Sequence, residues 1–355
     1  MDAKRFPDES LLRFPEWVLR GIGQVVFQNN PLSGAVILAA ILFNSWIYFA
    51  ICLLGAAVST GMALVLRADR ALVSSGLFGF NGALVGLALV AFTSADFRTG
   101  AVPSPHMLAY IVAAAALTSV AFSAIGALLQ PYRVAALTAP FVLVGWLFLF
   151  AVLRFANIES GPLTKPVSPD EYLQTTQYML PTWYMGFGNA VGQIFFQDNW
   201  ITGYLIVLGI AVNSRISAAM ALVAAVLAEV VAGVFGGPEG AIRDGLFGYN
   251  AVLTALALGG VFLVISWASF AYALFGVVVA TWLWASIAVL LSPIDMPVLT
   301  STFVLVTWLM LLAAPSFRAL ILVSPGDATT AEDNRRRVRS ERLQPRETSL
   351  SNAQS

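Results

Sequence analysis

A fourteen-residue block at positions 76–89 (GLFGFNGALVGLAL) returns at 245–258 (GLFGYNAVLTALAL), 169 residues on, with nine positions identical. The same offset aligns 23–30 (GQVVFQNN) with 192–199 (GQIFFQDN), and Asn44-Ser45 with Asn213-Ser214. A further block, 137–144 (LTAPFVLV), returns at 299–306 (LTSTFVLV) with an offset of 162, so the first copy carries about seven extra residues ahead of it. Separate regions that agree on one offset mean that the chain is a duplication and must fold as two copies of one unit.

The unit belongs in a bilayer. With 59% hydrophobic and only 11% charged residues, and a mean hydropathy of +0.81, the 355-residue chain has too little polar surface for a water-soluble globule. Apolar stretches at 36–58, 107–129 and 268–291 reach the ~20 residues a helix needs to cross about 30 Å of hydrocarbon. The runs are rich in Ala, Leu and Val and lack period-2 alternation, which predicts helices rather than a membrane barrel. The fold class is therefore all-α and polytopic.

The organisation expected is a cytoplasmic segment at 1–16, a first transmembrane repeat at 17–153, an extracytoplasmic linker at 154–181, a second repeat at 182–323 and a disordered cytoplasmic tail at 324–355. Each copy has room for about five spans preceded by a short, re-entrant segment. An odd number of spans inverts the second copy, which places a solute path at the pseudo-twofold axis near the midplane. Positions 1–16 lack the apolar run of a cleaved signal peptide, so the mature chain is expected to start near Met1. With the first end inside, fifteen Lys and Arg fall on the cytoplasmic face and only Arg98, Arg154, Lys165 and Arg243 outside, which predicts that both termini are cytoplasmic. The Arg335-Arg336-Arg337-Val338-Arg339 run reads as a positive-inside determinant, with attraction to anionic lipid as the alternative.

The lysines, Lys4 and Lys165, are in no phosphate-loop context, so no ATP-driven pump is expected. Glu229 is the one clear carboxylate inside a span and its repeat mate is Thr60. A symmetric path draws on both copies, which favours a helix-contact or inter-subunit role for Glu229 over an ion-coupling site. The single histidine, His106, sits beside prolines and excludes a paired-histidine ammonium pore within one chain. Cys52, without a second cysteine, excludes internal disulfides and thiol metal sites and reads as a small buried hydrophobe. No cofactor, metal or nucleic acid is implied, and without paired carboxylates or an activated nucleophile no enzyme is expected.

The polar residues that recur in both copies are uncharged: Gln24 and Gln193, Gln28 and Gln197, Asn30 and Asn199, Asn44 and Asn213, Asn81 and Asn250, Thr138 and Thr300. Asn44, Asn81 and their mates read as ties between broken helices. Gln24, Gln193, Thr138 and Thr300 read as lining a path, because Gln24 precedes the Gln-Asn-Asn-Pro-Leu-Ser-Gly break and Thr138 precedes Pro140. Phe27, Phe80, Phe196 and Tyr249 occupy four repeat-equivalent places among them.

With its Asn-Asn-Pro-Leu-Ser-Gly segment, its duplicated Gly-Leu-Phe-Gly-Phe/Tyr-Asn block and its Leu-Thr-x-Pro-Phe block, the chain resembles the urea transporter family over roughly residues 17–314. The resemblance implies a trimer with one pore per protomer, at the pseudo-twofold axis, in the plasma membrane or a bacterial inner membrane. The pore it implies is a slot with aromatic rings above and below a planar solute and a ladder of oxygen acceptors along one edge. Carried over by motif, Phe27, Phe80, Phe196 and Tyr249 line that slot with Leu84 and Leu253, Thr138 and Thr300 sit at its middle, and Gln24 and Gln193 supply oxygens at its ends. Tyr249 stands where the first copy has Phe80, and Thr302 where it has Pro140.

Urea is flat and neutral, with four N–H donors and one carbonyl, and stripping its water without replacement costs about 4–8 kcal/mol per amide-like group. Neutral oxygens at broken helices replace those bonds without binding tightly, and nothing in such a path needs an energy source. The expectation is facilitated urea diffusion. Its alternatives are an ion-coupled secondary carrier for another small polar solute, built on Glu229, and a membrane-embedded structural or sensor subunit whose working end is the Arg-rich tail.

Overall fold

A computed structural model of the protein describes residues 9–160 and 177–343. Lys4, Arg5, Lys165, much of the expected linker and the last twelve residues of the tail lie outside the described residues. The architecture is all-helical, that of a polytopic membrane protein. The first half runs α1 (Glu9–Gln24), α2 (Pro31–Asn44), α3 (Trp46–Val65), α4 (Arg70–Ser74), α5 (Gly79–Thr93), α6 (Pro105–Leu129) and α7 (Ala139–Val152). The second half follows the same order with α8 (Leu180–Gly192), α9 (Trp200–Asn213), α10 (Arg215–Val234), α11 (Glu239–Arg243), α12 (Tyr249–Leu256), α13 (Trp267–Leu291) and α14 (Ser301–Ala313). A last helix, α15 (Ala331–Leu343), has no counterpart among the described residues of the first half.

The breaks between helices follow from the duplicated polar residues. Asn30 caps α2 by accepting from the Leu32 and Ser33 amides at 2.8 and 3.3 Å, with Pro31 in the first turn, where its missing N–H costs nothing. Asn199 caps α9 in the same way, at 3.0 and 3.2 Å from Ile201 and Thr202. Ser45 and Ser214 are extended residues that end one helix and cap the next. The consequence is a chain with fewer long helices than five per half. Long apolar helices span 46–65 and 105–132 in the first half and 215–234 and 267–294 in the second. The intervening helices are shorter; α2, with 14 residues, extends only about 21 Å. The α8 and α9 pair bends by 69°.

Close packing rests on glycines at equivalent places. A Cβ on Gly34 would strike the Leu19 carbonyl of α1, and one on Gly203 the Gly188 carbonyl of α8, so each short pair packs backbone to backbone. Between the halves, polar contacts come in exchanged pairs. Asn44 Nδ2 donates to Gln197 Oε1 at 2.9 Å and Asn213 Nδ2 to Gln28 Oε1 at 3.0 Å. Trp146 Nε1 donates to the Pro297 carbonyl and Trp308 Nε1 to that of Ala135, both at 2.9 Å.

Two segments expected to lie outside the repeats, 1–16 and 324–355, carry helix among their described residues. The first helix starts at Glu9, within the expected cytoplasmic segment, and carries Pro15 within it. The tail, expected to be disordered from Ser324, is helical over Ala331–Leu343. Its composition is polar, but Ala331 and Asn334 are buried against the end of α12, and those contacts hold a segment that charge alone would leave in solvent.

Candidate functional site

Thr138 and Thr300 meet across the two halves, their hydroxyl oxygens 2.6 Å apart and only 3% and 2% exposed. Each stands at the start of a helix, α7 or α14, directly after a leucine in the left-handed region, Leu137 at φ 53° and Leu299 at φ 50°. A β-region residue would turn the chain elsewhere, so the strained leucines, at about 1–3 kcal/mol each, are what point two helix N-termini at one place. One amide in the first turn of each helix, that of its third residue, is satisfied from α5 or α12. Asn81 Oδ1 accepts from Phe141 N at 3.0 Å, and Asn250 Oδ1 from Phe303 N at 2.9 Å. Asn81 and Asn250 are thus ties between broken helices.

Phe27 and Phe196 also have positive φ, 61° and 58°, at the ends of the turns that follow α1 and α8. Each ring is held edge-on by two others. Phe27 meets Phe262 at 5.8 Å and Phe303 at 6.1 Å; Phe196 meets Phe92 at 5.7 Å and Phe141 at 6.2 Å. Such T-shaped contacts fix ring orientation. Because Phe141 and Phe303 follow Thr138 and Thr300 by three residues, each ring from one half rests on the helix that the other half sends to the centre.

The remaining predicted residues are distributed around this centre. Leu84 and Leu253 are fully buried on α5 and α12. Phe80 is 6% exposed and packs edge-on to Phe122 at 5.9 Å. Among the described residues Phe80 does not stack with Phe27, nor Tyr249 with Phe196. Gln24 donates its amide to the Ser75 carbonyl at 2.9 Å, which leaves its oxygen free to accept. Gln193, half-buried at the equivalent turn, makes no side-chain hydrogen bond among the described residues.

Tyr249 departs from its mate in chemistry as well as name. Its hydroxyl donates to the Leu299 carbonyl at 2.6 Å and accepts from Trp284 Nε1 at 3.3 Å. Asn250 donates to the same carbonyl at 3.1 Å, whereas the Leu137 carbonyl receives only a 3.5 Å contact from Asn81. The two halves therefore differ in available acceptors: the carbonyl beside Thr300 is occupied and the one beside Thr138 is nearly free.

Glu229 is fully buried on α10, packed against Gly248 at the start of α12, and neither carboxyl oxygen has a hydrogen-bond partner among the described residues. Thr60 stands equivalently against Gly79. His106 is exposed at the start of α6 and Cys52 is buried in α3. No cluster of metal-ligating side chains is present among the described residues.

Sequence reasoning missed the four supporting rings. Phe141 and Phe303 were within reach, since both sit in the duplicated Leu-Thr-x-x-Phe block. Phe92 and Phe262 were hidden because their separation is 170, not 169. The wide π-turn at Ala257–Val261 inserts one residue at the end of α12 and shifts the register by one.

The model of one family, described as urea transporter, matches residues 15–315. Urea transporter 1 of Rattus norvegicus is 30% identical to this chain over 329 residues, 92% of this chain and 83% of that protein. The Mus musculus protein of that name matches to the same extent, and the Ovis aries one is 30% identical over 333 residues, 91% of this chain and 83% of its own length.

Proposed function

The chain belongs to the urea transporter family, and from that premise we propose that it is a channel-like facilitative transporter passing urea down its gradient. Family membership points to a transporter rather than an enzyme. The reading of its path rests on one observation above all, the Thr138 and Thr300 hydroxyl pair where two helix N-termini meet.

A hydroxyl has one donor and two acceptor lone pairs. The pair uses one of each internally, leaving three lone pairs and one O–H, which complements a solute with several N–H donors and one carbonyl. At 2.6 Å the hydroxyls leave no room between them, so urea passes beside the pair, along a wall that includes the nearly free Leu137 carbonyl. The positive ends of α7 and α14 repel cations from the same spot, so ammonium gains nothing from these oxygens that the helix ends do not oppose. Phe27 and Phe196, with Phe80, Tyr249, Leu84 and Leu253, form the walls that admit a flat molecule. Gln24 and Gln193 offer oxygens at the two ends.

In this reading the repeats have opposite orientations in the bilayer and are joined by the linker at 154–181. Both termini are cytoplasmic, and three protomers, each with its own path, assemble in the plasma or inner membrane amid its lipids. The test is a solute panel on purified protein in proteoliposomes. Rapid urea flux with guanidinium and methylammonium excluded supports the neutral slot, and equal passage of these cations contradicts it. Mass measurement in detergent should give a trimer, and a stable monomer removes that part of the reading.

A further inference from the structure

The family match ends at residue 315, yet the chain beyond it folds back onto the end of α12. Val264 N donates to the Ile321 carbonyl and Val323 N to that of Phe262, both at 2.9 Å, so residues around Leu322 pair with those around Leu263. The π-turn at Ala257–Val261 leaves carbonyls without the partners a regular helix would supply. Asn334, fully buried on α15, fills that gap: its Nδ2 donates to the Gly260 carbonyl at 2.7 Å and to that of Val261 at 3.1 Å. Ala331 lies directly on Gly260, where an added Cβ would collide with it.

A second anchor sits one residue further along α15. Glu332 accepts from Ser214 Oγ at 2.6 Å and from Ile216 N at 2.9 Å, at the start of α10, where a carboxylate complements the helix N-terminus. In the chain between Val261, held by Asn334, and Leu263, paired with Leu322, lies Phe262, the ring that meets Phe27 edge-on at 89°. Its counterpart Phe92 stands on the regular helix α5 and needs no such support.

We propose that Asn334 and Glu332 are positioning residues for the solute path: by docking α15 on the π-turn they fix Phe262, and through it the Phe27 wall. The inference rests on Phe27 being a wall of that path. With α15 released, the carbonyls of Gly260 and Val261 lose their donor, Phe262 gains freedom, and the slot admits thicker or wider amides. Selectivity changes before urea flux does.

The experiment uses the full chain with Asn334→Ala, which removes the donor, and Gly260→Ala, which pushes Ala331 away from the opposite side. Release of α15 is read as faster trypsin cleavage at Arg335, Arg336 and Arg339 in detergent, since cleavage of a docked helix requires its opening. Selectivity is read in proteoliposomes as the ratio of N,N′-dimethylurea to urea flux. Both variants are expected to cleave faster, keep urea flux and raise the ratio by about threefold or more, part of the roughly tenfold that one methyl group commands at a shaped site. Glu332→Gln, which keeps volume and one acceptor, is expected to shift both readouts the same way by less, and it decides the matter should the others not assemble. Faster cleavage with an unchanged ratio overturns the proposal, as does unchanged cleavage in all three. An unaltered protein that passes no urea instead overturns the transport reading, and the trypsin result then judges the docking by itself.

Discussion

Thr138 and Thr300, 162 residues apart in sequence, share one hydrogen bond of 2.6 Å at the place where the two halves of the chain meet. Neither hydroxyl bonds to the helix it stands before, where the amide of the third residue, Phe141 or Phe303, is taken by Asn81 or Asn250 instead. The pair is the only point where a repeat-equivalent side chain touches its own mate among the described hydrogen bonds, and the account of a solute path is built around it.

Thr138→Val and Thr300→Val should each slow urea flux by about tenfold, the effect of one net hydrogen bond of roughly 1–1.5 kcal/mol at the highest point of the path. Because each single change frees the other hydroxyl, the double variant should fall short of the hundredfold that independent sites would give. Stopped-flow shrinkage of proteoliposomes measures all three. Unchanged flux in both singles removes the pair from the path.

Tyr249→Phe restores the ring of the first copy and deletes the hydroxyl held by Leu299 and Trp284. The expected outcome is a loss of about 1–2 kcal/mol in stability, seen as a lower Tm in detergent, with urea flux kept within about threefold. Abolished flux would mean that the hydroxyl contacts the solute.

Gly203→Val should not yield assembled protein, since its side chain would enter the Gly188 carbonyl of α8, whereas Gly240→Ala, with open space around it, should behave as the unaltered chain. Size-exclusion profiles of the two distinguish a backbone contact from a general intolerance of glycine replacement.

Much of this arrangement was legible in the sequence because duplication marks equivalent places twice. Asn30 and Asn199 announce a helix start by type and by repetition, and the structure uses them as caps. What composition could not convey was length. The stretch at 36–58, which reads as one continuous apolar run, is divided at Ser45, an extended residue whose hydropathy does not betray a break. Nor could it convey the strain at Phe27, Leu137 and their mates, since a positive φ at a large residue is imposed by packing and has no local signature. The docked α15 escaped for a third reason: a polar helix in which only Ala331 and Asn334 are buried, among its described side chains, has the composition of a disordered tail.

The central claim is that the path is passive, and it is tested most directly by urea accumulation in proteoliposomes under imposed proton and sodium gradients. Internal urea should rise to the external concentration and stop there, at the same rate with or without either gradient and alike in Glu229→Gln. Accumulation above the external concentration that follows a gradient and is lost in Glu229→Gln would contradict it, and would make the buried carboxyl on α10 the coupling group of an ion-driven carrier.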